Sequence, residues 1–235
     1  MNKAKPTIKS GIIPGLIAVW PICLGYIPIG LAFGVLAQKA GLHPLEIGAM
    51  SLLVFAGSSQ FVAISMLSNG AGTIPIIATT FAVNSRHFLM SSALSARLSN
   101  VKKRILPLFA YGVTDESFLV NLSKFRDGNW DINRALTVNH TANITWIVST
   151  ILGGYWGQFI PPKAFGIDYA LIAMFIGLLV FQLRGYKYAI TAIIAGVLAI
   201  ILSLIVPGNL HILLASITAA VLGVVFARRI KQRFH

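Results

Sequence analysis

The sequence is poor in acidic residues and in charge of any kind. Its 235 residues include 6 aspartates and glutamates against 19 lysines and arginines; charged residues make up 11% of the chain and apolar residues 56%. A soluble domain with a hydrated surface does not have this composition, and the mean hydropathy of +0.80 is typical of a polytopic membrane protein. The length allows about six to eight spans of about 20 residues each, which leaves no room for a soluble catalytic domain.

Sequence motifs for several chemistries are also missing. The single cysteine, Cys23, excludes an intramolecular disulfide and is interpreted as a small core residue. The chain has no H-E-x-x-H or G-x-S-x-G motif, so we do not expect an enzyme, and it has no G-x-x-x-x-G-K-[ST] phosphate loop. No run of Pro, Gly or Ser is long enough to be an interdomain linker. We therefore expect one integral membrane domain over residues 1–235, without a cofactor.

The net charge of +13 raises the question of nucleic acid, but the basic residues lie between apolar segments and at the termini. Two clusters stand out, Arg97, Lys102, Lys103 and Arg104, and Arg228, Arg229, Lys231 and Arg233. Both fit cytoplasmic loops that contact anionic lipids, so nucleic acid is not an expected partner. The apolar stretch at residues 12–37 follows lysines as a secretory signal does, but it is longer than a signal core and is interpreted as a retained first span.

Eight apolar segments are predicted, and together they form an all-α membrane helix bundle. The segments cover approximately residues 12–38, 45–67, 73–96, 105–123, 134–160, 167–183, 187–206 and 209–227. Eight complete crossings from a cytoplasmic N-terminus would place the basic loop at residues 97–104 outside, against the positive-inside rule. We therefore expect seven to eight hydrophobic segments with an interrupted or re-entrant element in each of two triplets, as in transporters built from internal repeats.

The first segment contains residues that favour either a broken helix or close helix packing. Its prolines recur every seven residues and its glycines lie among them: Pro14, Pro21, Pro28, Gly25, Gly30 and Gly34. Prolines free backbone carbonyls, whereas kinks and small residues are also ordinary features of membrane helices. Both interpretations are open.

A polar stretch, Phe55-Ala-Gly-Ser-Ser-Gln-Phe61, lies inside the second segment. Gly57 allows the backbone to bend, and Ser58, Ser59 and Gln60 offer hydrogen-bonding groups at membrane depth without a charge. These residues suit the binding of a small polar solute. Hydrogen bonds between helices would explain them equally well.

The third segment carries a polar stripe and an arginine. Helical spacing places Thr80, Asn84, His87 and Ser91 on one face, and Arg86 points about 100° away from His87. The stripe indicates a pathway, with His87 in a proton or substrate role. Arg86 could hold a substrate carboxylate through two parallel hydrogen bonds, or it could form a buried ion pair with one of the two acids of the fourth segment.

Those two acids, Asp115 and Glu116, are adjacent and so diverge by about 100° on a helix. One can pair with Arg86 while the other faces the pathway. Burial favours the protonated form of a carboxyl group and a nearby arginine favours the ionised form, so the two acids can separate a structural charge from a proton carrier.

The fifth segment adds Asn139, His140 and Asn143. The two asparagines share one face and could complete a polar cavity. Asn139 and His140 also lie near the predicted entrance to the membrane, where an interfacial position would explain them.

Three motifs carry a family resemblance: Gly57-Ser-Ser-Gln-Phe61, Asn84-Ser-Arg-His87 and Thr114-Asp-Glu116. In this order and at these spacings the sequence resembles the AzlC-type (azaleucine-resistance) branched-chain amino acid permeases. The resemblance implies the large subunit of a multi-pass bacterial inner-membrane exporter that works with a small hydrophobic AzlD-type subunit. Ser85 departs from the family, which often has leucine at that position.

The expected function is secondary export of branched-chain amino acids, namely valine, leucine and isoleucine, with methionine as a further candidate, by proton antiport. The substrate-binding candidates are Ser58, Ser59, Gln60, Asn84, Arg86, Asn139 and Asn143. The proton-coupling candidates are Asp115 and Glu116, with His87 as the second choice. The alternative is a channel or transporter for ions or metals, in which Asp115, Glu116, His87 and His140 form a cation path.

Overall fold

The structure is a computed structural model that describes residues 8–99, 101–160, 169, 172–173, 176–177, 179–180, 183, 186–205, 214–215, 218–219 and 221–223. Its helices are α1 (Ile8–Lys39), α2 (Pro44–Leu53), α3 (Gly57–Ser68), α4 (Thr73–Ser95), α5 (Leu106–Tyr111), α6 (Asp115–Arg126), α7 (Ile132–Trp156), a 3-10 turn (Gly157–Phe159) and α8 (Tyr186–Ser203). The described residues contain no strand, so the predicted all-α class is confirmed. The sixth and eighth predicted segments lie largely outside the described residues.

Two of the predicted segments are interrupted helices. The second divides into α2 and α3 at residues 54–56, where Phe55 adopts a φ of 39°, a left-handed conformation that is rare for a bulky residue. The fourth divides into α5 and α6 at residues 112–114, where Thr114 caps the start of α6. The expected interruptions are therefore present, one in each predicted triplet. An internal repeat stays a prediction.

The first segment is not interrupted, so its broken-helix interpretation is wrong. α1 continues through all three prolines for 32 residues. It packs closely along α7: a Cβ atom added at Gly34 would lie 2.1 Å from the carbonyl oxygen of Thr150, and one at Gly153 would lie 2.2 Å from that of Leu31. Glycine permits this approach of the two backbones, as the small-residue interpretation expected.

Helix lengths and surface composition agree with a membrane environment. Among the described residues, one helix, over Ile12–Lys39, has both the length and the hydropathy to cross a membrane. α4 and α7 are also long enough, with 23 and 25 residues, because a helix of about 20 residues spans a hydrocarbon core of about 30 Å. α4 exposes large apolar side chains such as Phe81 and Phe88, which lipid can cover.

An aromatic cluster joins α1, α3 and α7. The ring of Phe33 lies 5.1 Å from that of Phe61 and 6.0 Å from that of Trp146, and Tyr26 meets Trp146 edge to face at 5.3 Å. All four side chains are buried. This cluster packs α3, which follows the first break, and α7 against α1.

Candidate functional site

A cavity of about 40 Å³ lies where the two helix breaks meet. Its lining comes from α1 (Tyr26, Ile29), the first break and α3 (Phe55, Ala56, Gly57, Ser58), α4 (Arg86, His87), the second break and α6 (Thr114, Asp115, Glu116) and α7 (Trp146). The cavity therefore combines five hydrogen-bonding or charged side chains predicted from the sequence with an aromatic and aliphatic wall. The volume corresponds to a few water molecules.

Arg86 forms its ion pair with Asp115. Nη2 of Arg86 lies 3.0 Å from Oδ2 of Asp115, and the two side chains are 30% and 24% exposed. The same nitrogen donates a hydrogen bond to Oγ of Ser58. Arg86 thus connects α4 to both interrupted helices. Its Nε atom is buried and has no hydrogen-bond partner among the residues that the structure describes, so the guanidinium retains donor capacity.

Glu116, by contrast, accepts a hydrogen bond from a residue of α1. The hydroxyl of Tyr26 donates to Oε2 of Glu116 at 2.7 Å and lies 2.9 Å from Oγ1 of Thr114. Thr114 in turn caps α6, since its Oγ1 accepts from the backbone N–H of Ser117 at 3.3 Å. Because Asp115 and Glu116 diverge on the helix, as predicted, Asp115 meets Arg86 and Glu116 meets Tyr26. Acidic residues in the first turn of a helix are also favoured by its dipole.

Sequence reasoning missed Tyr26. A tyrosine in an apolar segment is not unusual, because its ring packs like any other aromatic side chain. The signal that could have found it is its hydroxyl, which must find a partner when it is buried at membrane depth.

The predicted stripe on α4 is only partly in the cavity. His87 lines it, half-buried, within electrostatic range of both Arg86 and Glu116. Asn84 is not among the lining residues, and its Oδ1 atom is buried without a hydrogen-bond partner in the described part of the chain. The hydroxyl of Thr80 donates to backbone carbonyls of its own helix.

Gln60 and Ser59 lie behind the cavity wall and stabilise the first break. Oε1 of Gln60 accepts from the backbone N–H of Ala56 at 3.3 Å and from Nε1 of Trp146 at 3.0 Å, and its Nε2 donates to Oγ of Ser51 at 3.1 Å. The hydroxyl of Ser59 donates to the carbonyl of Ala56 at 3.0 Å. Of the three polar residues in the predicted stretch, Ser58 is the one that reaches the cavity.

Asn139 and Asn143 support the second break. Nδ2 of Asn139 donates to the carbonyl of Phe109 at 3.0 Å, an oxygen near the end of α5. Nδ2 of Asn143 donates to the hydroxyl of Tyr111 at 3.2 Å, and that hydroxyl donates to the carbonyl of Leu52 at the end of α2. Neither asparagine lines the cavity. The carbonyl of Phe109 also accepts from the backbone N–H of Gly112 at 3.2 Å, so Asn139 adds a second bond to it. The bonds from Asn143 to Tyr111 and from Tyr111 to Leu52 join the two breaks.

His140 lies half-buried on α7, and its Nε2 atom has no hydrogen-bond partner in the portion that is described. The described residues contain no group of three or more His, Cys, Asp or Glu side chains that could hold a metal ion.

An all-helical membrane protein with interrupted helices around a charged cavity is an architecture found among transporters. The profile of the AzlC protein family matches residues 21–160, a range that contains every residue of the cavity lining. The chain belongs to the AzlC family, and the predicted family is confirmed.

Relatives support the same conclusion. The chain is 32% identical over 188 residues to the inner membrane protein YgaZ of Escherichia coli, covering 76% of each chain. It is 27% identical over 213 residues to the branched-chain amino acid transport protein AzlC of Bacillus subtilis, covering 89% of this chain and 82% of the relative. It is 30% identical over 215 residues to a membrane protein of Archaeoglobus fulgidus, covering 89% and 92%. No solved structure matches the chain.

Proposed function

We propose that this chain is the large subunit of a secondary transporter that exports branched-chain amino acids across a bacterial inner membrane by proton antiport. The observation that carries the proposal is the cavity between the two helix breaks, where an arginine, a histidine and two acids face an apolar wall. The Bacillus subtilis relative, named as a branched-chain amino acid transport protein, supports the substrate class.

The lining offers a partner for each part of such a substrate. A branched-chain amino acid has a carboxylate, an ammonium group and an aliphatic tail. Arg86 and Ser58 can donate to the carboxylate, Glu116 can accept from the ammonium group, and the tail can contact Ile29 and Phe55. Ser59, Gln60, Asn139 and Asn143 would act from behind these residues, by holding the helix breaks in place. Asn84 remains a proposed substrate-binding residue, because its buried Oδ1 atom has no hydrogen-bond partner among the described residues and retains acceptor capacity.

Glu116 is the preferred proton-coupling residue. The charge of Asp115 is balanced by Arg86 at 3.0 Å, whereas Glu116 accepts a hydrogen bond from a neutral tyrosine. A carboxyl group without a balancing cation changes protonation more readily at membrane depth. His87 is the second choice, since it shares the cavity with both acids.

The cavity must widen to admit a substrate. A volume of about 40 Å³ holds a few water molecules and not an aliphatic amino acid. Motion at the breaks would widen it, and the left-handed conformation of Phe55 is a point where backbone strain of about 1–3 kcal/mol could be released. Alternating access by movement of interrupted helices is the mechanism that we propose.

The proposed partners are a small AzlD-type membrane subunit and anionic lipids. The described basic cluster at the end of α4, with Arg97, Lys102, Lys103 and Arg104, is exposed and suits the headgroups of the cytoplasmic leaflet.

The experiment is transport in proteoliposomes that contain the full chain together with the small subunit. Vesicles loaded with labelled valine, leucine, isoleucine or methionine should release them faster when the outside is acidic, and counterflow should be saturable and stereoselective. Glu116→Gln should abolish the effect of the pH gradient, while Asp131→Asn, at a helix cap remote in sequence from the site, should not. Absence of amino acid counterflow refutes the substrate class. Gradient-driven efflux that survives amides at both Asp115 and Glu116 refutes the coupling assignment.

A further inference from the structure

We propose that Tyr26 is a positioning residue that sets the pH range of transport through its hydrogen bond to Glu116. The inference rests on the proposed function and deepens it, because it assigns a role to a residue of α1 that no motif singled out.

The geometry fixes the direction of the hydrogen bonds. The hydroxyl of Tyr26 lies 2.7 Å from the Glu116 carboxylate and 2.9 Å from the Thr114 hydroxyl. One phenolic proton cannot be donated fully to both, and an ionised carboxylate is the stronger acceptor. Tyr26 therefore donates chiefly to Glu116, and Oγ1 of Thr114 is the second, weaker acceptor of the same proton.

The ring of Tyr26 holds the hydroxyl in place. The side chain is 8% exposed and its ring packs edge to face against Trp146. The tyrosine thus has little freedom to turn its hydroxyl away from Glu116. The bond also connects α1 to the first turn of α6, across 90 residues of sequence.

The other ionisable groups around Glu116 do not replace this donor. α4 presents Arg86 and His87, and α6 presents Asp115. Arg86 is engaged by Asp115 and Ser58. The lining contributed by α3 (Gly57, Ser58) and by α7 (Trp146) contains no ionisable side chain. Among the described residues, Tyr26 is the hydrogen-bond donor to the carboxylate of Glu116.

The hydrogen bond favours the ionised form of Glu116. A substrate ammonium group or a proton that arrives at Glu116 competes with the tyrosine hydroxyl for the same carboxylate. Loss of the hydroxyl should make protonation easier, so the pH midpoint of transport should move upward by about one unit, or about tenfold in proton concentration.

The test compares wild type, Tyr26→Phe and Tyr111→Phe in proteoliposomes that contain the full chain and the small subunit. Phenylalanine keeps the ring contact with Trp146 and removes only the hydroxyl. Tyr111→Phe is the matched control: it also removes a tyrosine hydroxyl that joins two helices, but Tyr111 does not line the cavity. Valine counterflow is measured as a function of pH, so that the midpoint is read separately from the maximal rate.

We expect the midpoint to rise in Tyr26→Phe and to stay unchanged in Tyr111→Phe. In a Glu116→Gln background, Tyr26→Phe should produce no shift. An unchanged midpoint in Tyr26→Phe, an equal shift in the control, or a shift that persists without Glu116 overturns the inference.

A second readout does not depend on the substrate. Trp146 contacts Tyr26 and lines the cavity, so its fluorescence should titrate with Glu116 in a variant whose other tryptophans are replaced by phenylalanine. Tyr26→Phe should raise the midpoint of this titration too, and an unchanged midpoint overturns the inference. If wild type fails to transport any amino acid, the proposed function is wrong. If wild type transports and neither midpoint moves, only the role of Tyr26 is wrong.

Discussion

Replacing Asp115 by asparagine removes one charge of the ion pair with Arg86 and keeps the shape of the side chain. At the observed separation of 3.0 Å, the attraction between unit charges is about 5.5 kcal/mol at an effective dielectric constant of about 20 and about 1.4 kcal/mol in water. Because both side chains are partly exposed, with 30% and 24% of their surface accessible, an intermediate value applies. We expect the variant to lose about 2–3 kcal/mol of unfolding free energy, less than the roughly 3–5 kcal/mol of a fully buried pair.

The assay is equilibrium unfolding of the full chain in mixed micelles, combined with transport by the same variants. The double variant Arg86→Gln, Asp115→Asn has two neutral amides that can hydrogen-bond, so it should regain at least half of the lost stability. If Arg86 also holds the substrate carboxylate, the double variant should still fail to transport, whereas Asp115→Asn alone should keep pH-driven efflux at a reduced rate.

Asp131→Asn is the control, because it removes one charge of a weaker ion pair. Asp131 lies 3.8 Å from Arg134 and caps α7, and asparagine caps a helix equally well, so the loss should be below about 1 kcal/mol. A loss at Asp115 no larger than in this control refutes the importance of the ion pair. A double variant that transports like wild type refutes the role of Arg86 in substrate binding.

Three further predictions concern packing and specificity. Gly34→Ala should lose about 3 kcal/mol or more, because its Cβ would lie 2.1 Å from a carbonyl oxygen of α7, while Gly25→Ala, with nothing within 4 Å, should be tolerated in the same unfolding assay; equal losses would contradict the close packing of the two helices. Gln60→Leu should lose about 2–5 kcal/mol, since Trp146 and a backbone N–H would lose their acceptor, and a neutral result would refute its structural role. Ser85→Leu should leave the relative rates for valine, leucine and isoleucine unchanged, because Ser85 is exposed and outside the cavity lining; an altered preference would contradict this placement.

The charged residues of the cavity could be identified from the sequence because charges are rare in apolar segments. Arg86, His87, Asp115 and Glu116 stood out for that reason, and all four line one cavity. The partner of Arg86 could not be predicted. It depends on how α4 lies against α6, and helical spacing within one segment does not determine the register between two segments.

The helix breaks were predictable in number but not in place. The prolines of α1 suggested a break that the close contact of α1 with α7 prevents. The break at residues 112–114 lies in a segment that reads as continuous, because Gly112 and Thr114 are common within membrane helices as well as at their ends. The roles of Gln60 and Asn139 depended on these breaks, since each amide bonds a backbone group beside an interruption.

The hydrogen bonds of Gln60 also bear on how the protein can evolve. Its single side chain serves three partners on α2, at the first break and on α7, so no one substitution can satisfy them all. Ile29 and Phe55 face the same cavity with apolar side chains, which have no hydrogen bond for a substitution to remove. Under selection for export of a bulkier amino acid, adaptive substitutions should accumulate at these two positions while Gln60 stays fixed, so that new substrate ranges arise on an unaltered scaffold.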